Sequence, residues 1–322
     1  MHLPDGFLDV KTALLSTSIA AGGVAVALRQ VRASVEPRQV PLLGLAAAFV
    51  FAAQMLNFPV VGGTSGHLIG GVLAAVLLGP SAAVLVMTCV LVVQCLMFAD
   101  GGLLALGANV FNMGLVNVCG GYLVCRVMRR LIRMEDRRST VFAAAFAAWF
   151  GTVLASITCA GQLALSKAAP WPIAFPAMAN IHMLIGLGEG LATGLIVLAV
   201  LRARPEILGA ASPSRETNRF GFIAYGLLIS IGLAIFVAPF ACPWPDGLEA
   251  VAKSLGFDGR TAPAGFVAPL SDYRLPFIGS ATAATAAAGF IGTMIAFAAA
   301  YALARLLVPV VNARKENATP GN

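Results

Sequence analysis

Apolar residues fall in blocks of about 18 or more along the chain, the length that crosses ~30 Å of hydrocarbon at ~1.5 Å per residue. The blocks predict nine membrane spans, over roughly 10–28, 40–56, 66–79, 82–99, 104–128, 141–165, 178–201, 220–240 and 280–307. The run from Gly66 to Ala99 carries no charge and could form one long helix. Gly79-Pro80-Ser81 divides it, because proline has no amide proton and clashes with the preceding turn.

Basic residues test that division. With the N-terminus outside and nine alternating spans, sixteen Lys and Arg fall in inside loops and five outside. This obeys the positive-inside rule. Merging the third and fourth spans would put the loop with Arg126, Arg129, Arg130, Arg133, Arg137 and Arg138 on the opposite side from the first basic loop. The predicted fold is an all-α polytopic protein of the inner membrane, with the N-terminus outside and the C-terminus inside.

Composition agrees. The chain of 322 residues is 59% hydrophobic and 11% charged, with a mean hydropathy of +0.88. A soluble chain averages about 25% charged residues, so an ordinary cytosolic enzyme is excluded. Disorder would show the reverse balance. The net charge of +7 follows from orientation and does not call for nucleic acid as a partner. Met1-His2-Leu3-Pro4-Asp5-Gly6 has no basic leader, so no cleavable signal peptide is expected. Five of the six cysteines sit in apolar runs and no C-x-x-C occurs, which favours buried, inert thiols. Residues 203–219 read as a polar linker inside, and 241–279 as a polar stretch outside. The last two spans therefore look like a module attached to a seven-span body.

Candidate chemistry is sparse. No G-x-x-x-x-G-K-[ST] phosphate loop, H-E-x-x-H motif or G-x-S-x-G elbow is present. The histidines are His2, His67 and His182. Histidine at position two is too large for methionine removal, so Met1 is expected to keep its α-amine as the terminus. That amine, the His2 main-chain nitrogen and the His2 imidazole can close adjoining chelate rings around one metal ion. A solvated histidine at a frayed end is the plainer alternative. His67 ends a glycine-rich outer loop, Gly62-Gly63-Thr64-Ser65-Gly66-His67, on the same side as Met1. It can fill the fourth planar position or simply cap a helix, and Thr64 and Ser65 could orient its ring. Irregular backbone at membrane depth is tolerated only where it is buried in protein or lines a cavity. His182 and Glu189 share the seventh span, where Gly186, Gly190 and Gly194 offer a surface for close helix contact. They read as polar pairing between helices or as a contribution near the metal. Asp100, Asn109, Asn112 and Asn117 read as an outer loop network.

Four stretches carry a resemblance. Met1-His2-Leu3-Pro4-Asp5-Gly6-Phe7, the run from Phe51 through Gly62-Gly63-Thr64-Ser65-Gly66-His67, Phe98–Met113, and His182–Gly190 are similar to the CbiM/NikM family. That family is the substrate-binding membrane component of nickel and cobalt energy-coupling factor transporters. The resemblance covers about residues 1–202. Pro245-Asp246-Gly247-Leu248-Glu249, with Pro269-Leu270-Ser271-Asp272-Tyr273, resembles the PDGLE module, equivalent to CbiN/NikN, over about 220–310. The resemblance implies a seven-helix body plus two C-terminal helices. It implies a transported nickel(II) or cobalt(II) ion held by the Met1 amine, the His2 amide and imidazole nitrogens and the His67 imidazole. Thr64, Ser65, Asn109 and His182 would hold those ligands in place. It also implies partners outside this chain, a transmembrane coupling (T) protein and cytoplasmic ATPase subunits, with Ala20, Ala21, Gly22 and Ala25 as a contact surface. No resident cofactor is implied. None of the implied ligands lies beyond residue 205, so the tail is expected to be dispensable for metal binding. A membrane metallohydrolase or a non-transporting scaffold are the rival readings. A planar four-nitrogen site and the PDGLE-type tail favour nickel over cobalt.

Overall fold

The computed structural model describes residues 1–132, 137–205, 219–262 and 265–308. Among the described residues ten helices carry the fold: α1 (Val10–Ser34), α2 (Val40–Gln54), α3 (Gly71–Leu78), α4 (Pro80–Phe98), α5 (Leu106–Ile132), α6 (Arg137–Leu165), α7 (Trp171–Ala203), α8 (Phe220–Phe240), α9 (Gly247–Leu255) and α10 (Ala281–Leu307). Seven of these, all but α2, α3 and α9, are long and apolar enough to cross a membrane. The chain is an all-α, multi-pass membrane protein. The linker read at 203–219 falls mostly outside the described residues, as do Arg133, Arg215, Arg314 and Lys315 of the charge count.

The expected third span is the main departure. Residues 57–70 fold as a loop holding a two-stranded antiparallel hairpin, β1 (Phe58–Val60) and β2 (Thr64–Gly66), with Pro59 opposite Ser65. Only Gly71–Leu78 is helical. Eight residues rise about 12 Å, well short of a bilayer. Glycine makes this folding available: Gly62 and Gly63 at the hairpin turn have φ of +81° and +73°, a region other residues rarely enter. The predicted break is present, with Gly79 at φ +85° and Pro80 as the first residue of α4.

A half-helix that starts inside the protein needs a cap. Gly70 has no side chain to supply one, and Glu189 of α7 does so from across the fold. Its carboxylate accepts the Ile69 N–H at 2.6 Å and the Gly70 N–H at 2.8 Å, fully buried. Both oxygens thereby satisfy N–H groups that no helical carbonyl reaches.

Close packing holds the body together. A Cβ at Gly190 would lie 2.8 Å from the Ala145 carbonyl, and one at Gly186 3.1 Å from that of Trp149. The glycine stripe of α7 therefore seats directly on α6. The tail helices lean on α2: a Cβ at Gly44 would meet Phe297 of α10 at 3.1 Å, and one at Gly226 of α8 would meet Leu45 at 2.7 Å. The polar stretch beyond α8 is not all loop. It holds α9, started by Asp246 and ended by Gly256 at φ +74°.

Candidate metal centre

The first seven residues fold back onto the body and are pinned at several points. Leu3 N–H donates to Asn109 Oδ1 at 2.8 Å, and Asn109 Nδ2 donates to the Leu3 carbonyl at 3.1 Å. Gly102 N–H reaches the same carbonyl at 2.9 Å. The Asp5 carboxylate accepts the N–H groups of Leu103, Leu104 and Ala105 at 2.9–3.1 Å, capping the turn that enters α5. Leu3 and Phe7 are buried, so apolar contact and hydrogen bonding fix the segment together. On its outer side the tail covers it. Ala262 N–H donates to the Asp5 carbonyl at 2.8 Å, and Phe257 meets the Phe7 ring edge-on at 5.1 Å.

This anchoring delivers Met1 and His2 to the glycine-rich loop. The Met1 amine nitrogen lies 2.7 Å from His67 Nε2. The His2 and His67 rings stack with centroids 5.4 Å apart and planes at 19°. His67 Nδ1–H donates to the Leu68 carbonyl at 3.0 Å, which leaves the Nε2 lone pair aimed at Met1. Burial, then the neighbouring terminal ammonium, holds the His67 imidazole below its usual range.

His2 is placed by an amide relay. Gln54 Nε2 donates to the Ile69 carbonyl at 2.7 Å, and Gln94 Nε2 donates to Gln54 Oε1 at 2.7 Å. The relay leaves Gln94 Oε1 facing His2 Nε2 at 3.1 Å. Burial lowers the His2 imidazole below its usual range although Asp100 opposes the shift. His2 Nδ1 lies 3.2 Å from Asp100 Oδ1, so both ring nitrogens face oxygen atoms. Asp100 is itself oriented by the Tyr273 hydroxyl, which donates to Oδ2 at 2.5 Å.

The Met1–His67 contact has the dimension of one edge of a planar donor set. Adjacent corners of a square with ~2.0 Å metal–nitrogen bonds are about 2.8 Å apart, close to the Met1–His67 separation. Side chains alone would not show this: among the described residues no three His, Cys, Asp or Glu side chains gather in metal-binding geometry. A metal site here would draw on main-chain nitrogens as well.

The other candidates divide. Asn109 clamps the N-terminal segment at Leu3. Ser65 faces the tail: its Oγ donates to the Trp244 carbonyl at 2.7 Å and its N–H to that of Pro245 at 2.8 Å. Thr64 is buried opposite Val60 in the hairpin. His182 is buried behind the site, its Nδ1 bonded to the Met178 carbonyl at 2.8 Å within its own helix, beside a small pocket shared with Met1, His67 and Asp246. Asn112 joins Gln162 at 2.7 Å and Thr158 at 2.8 Å, whereas neither amide atom of buried Asn117 has a partner among the described residues.

Sequence reasoning missed Asp246. Its Oδ2 lies 2.6 Å from the Met1 amine and 3.8 Å from His67 Nε2. Burial would raise this carboxyl, but the Met1 ammonium and His67 outweigh it and hold it well below the usual carboxylate range. The tail thus reaches the Met1 amine, because the polar stretch folds inward where α9 packs Leu248, Val251 and Ala252 into the core. Beside the histidines lies a cavity of about 590 Å³ whose lining includes Asp100, Asp246, Glu249, Asp258 and Asp272 against the single Lys253. Such walls attract cations.

A family model described as the cobalt uptake substrate-specific transmembrane region, CbiM, matches residues 2–207. A PDGLE domain model matches 220–309. The chain is 37% identical to a putative fused nickel transport protein NikMN of Archaeoglobus fulgidus, over 95% of this chain and 98% of that one. It is 31% identical to the fused nickel transport protein NikMN of Rhodobacter capsulatus, over 84% and 82%. A crystal structure described as a truncated transition metal transporter superposes with a TM-score of 0.58 at 33% identity, covering 63% of this chain and 99% of that one.

Proposed function

Given that the chain belongs to the CbiM family and carries a PDGLE domain, we propose that it is the metal-binding subunit of an energy-coupling factor importer. Nickel(II) is the preferred substrate in this reading and cobalt(II) the next. Transport of a transition-metal ion, not catalysis, is the activity its relatives carry in their names. The observation that carries the reading is the Met1 amine 2.7 Å from His67 Nε2. The ligands are the Met1 amine, the His2 amide and Nδ1 nitrogens and His67 Nε2. Four nitrogens in one plane suit nickel(II), which favours square-planar sites.

Energy comes from elsewhere, since the chain has no phosphate loop. A transmembrane coupling protein and cytoplasmic ATPases supply it. Ala21, Gly22 and Ala25 of α1 are exposed and form a smooth landing for a coupling helix, while Ala20 turns into the body. The site lies outside with the N-terminus, so that binding precedes inward release, and the C-terminus lies inside. Residues 1–202 form the binding body and 220–310 the accessory module, with 203–219 between them.

A metallohydrolase would need a vacant coordination position and a general base beside the ion. A scaffold would tolerate loss of His2. The test is uptake of labelled nickel by cells expressing the chain with its coupling protein and ATPases, with cobalt as competitor. Nickel uptake that needs those partners and survives equimolar cobalt is expected. Uptake without them would overturn the importer reading, and suppression by equimolar cobalt would overturn the nickel preference.

A further inference from the structure

One side chain touches the proposed ligand set from the far end of the chain. Asp246 divides its carboxylate between two tasks. Oδ1 accepts the Glu249 N–H at 2.9 Å as the N-cap of α9, and Oδ2 lies 2.6 Å from the Met1 amine. Its place is fixed from three directions. Glu249 Oε2 accepts the Asp246 N–H at 3.2 Å, closing a capping box. The carbonyls of Trp244 and Pro245 are held by Ser65. Gly247 sits so near His182 that a Cβ there would be 2.9 Å from the ring Cε1. Each residue of the Pro245–Glu249 motif thus has a duty in setting one carboxylate oxygen against one nitrogen, with Leu248 buried as the anchor.

We propose that Asp246 is a positioning residue of the metal site, contributed by the C-terminal module. Its Oδ2 accepts an N–H of the Met1 amine before and after that amine binds metal, and aims the lone pair at the corner beside His67. The proposal rests on Met1, His2 and His67 being the ligands. A primary amine bound to a metal keeps two hydrogens, so the contact survives binding. A carboxylate accepting one of them stops rotation about the Cα–N bond and strengthens the donor. At 3.8 Å from His67 Nε2 the oxygen makes no hydrogen bond to the ring. Asp246 therefore acts through the amine. Metal affinity becomes a property of both modules although every ligand lies in the first 67 residues.

The test uses the full-length protein with its native N-terminus, measuring nickel affinity by chelator competition and the visible absorption of the bound ion. Asp246→Asn and Asp246→Ser keep an effective N-cap and remove the charge beside the amine. Each is expected to bind nickel about 10- to 100-fold more weakly, with the absorption band unmoved because the same four nitrogens remain. Glu249→Ala breaks the capping box without touching the amine, and is expected to change affinity by less than about threefold. Native affinity in both Asp246 variants, or an equal loss in Glu249→Ala, would overturn the positioning role. His67→Ala reports on the ligand set separately: full metal retained there refutes that set, whereas loss there with native Asp246 variants refutes the positioning role alone.

Discussion

Asn109 shows how much of the site is main-chain control. Its amide holds both the N–H and the carbonyl of Leu3, one residue beyond the proposed ligands, and all of these groups are buried. Asn109→Ala leaves two buried main-chain groups with a partner removed, each costing about 1–3 kcal/mol. The Leu3 carbonyl keeps Gly102 N–H, so the N–H bears the larger loss. Metal binding by this variant is expected to weaken about tenfold or more in a chelator competition, together with a lower melting temperature. Unchanged affinity would show that the N-terminal segment is held without it. The meeting of His67 with the terminal amine was legible in the sequence, because charge assignment put the glycine-rich loop and the chain start on one side. Asp246 was not. No periodicity relates residue 246 to residue 1, and its role as a helix cap conceals the second oxygen's contact.

At the scale of elements, α3 is the least ordinary piece. The apolar run predicted a span, and hydropathy has no term for a short helix that begins inside the protein after a hairpin. The missing half is a hairpin whose polar groups need internal partners, and Glu189 supplies two of them. Broken helices capped in this way are a recurrent feature of transporters. Glu189→Ala uncaps α3 and leaves the Ile69 and Gly70 N–H groups buried, so thermal stability is expected to fall by several degrees in a melting experiment; at about 1–3 kcal/mol per group this is a large effect. An unshifted melt would mean that α3 is held by packing alone. The lone face of α1 gives a complementary case. Gly22→Leu with Ala25→Leu places bulk where the coupling helix is expected, on positions exposed in this chain. Metal uptake by the whole transporter is expected to drop severalfold while nickel binding by the purified subunit stays unchanged. Loss of binding would place that face inside the fold instead.

At the scale of the whole molecule, the segments matched by the two family models meet at the contact between Met1 and Asp246. The break at Gly79-Pro80 was legible from the sequence. The closure was not, because it depends on α9 and on loop backbone reaching Asp5 and Ser65, contacts too distant in sequence for pattern to show. With the N-terminus outside, a reporter fused after Asn322 is expected to read cytoplasmic, and a periplasmic signal would reverse the orientation. The central claim is that the chain's own first nitrogen is a ligand. Adding one residue before Met1 turns that amine into an amide and moves His2 away from the terminus, while a C-terminal tag leaves both untouched. Metal content of the purified, folded protein decides the matter: stoichiometric nickel with the C-terminal tag and none with the N-terminal extension, as in His2→Ala, is the predicted result, and full nickel in the extended protein would contradict the account.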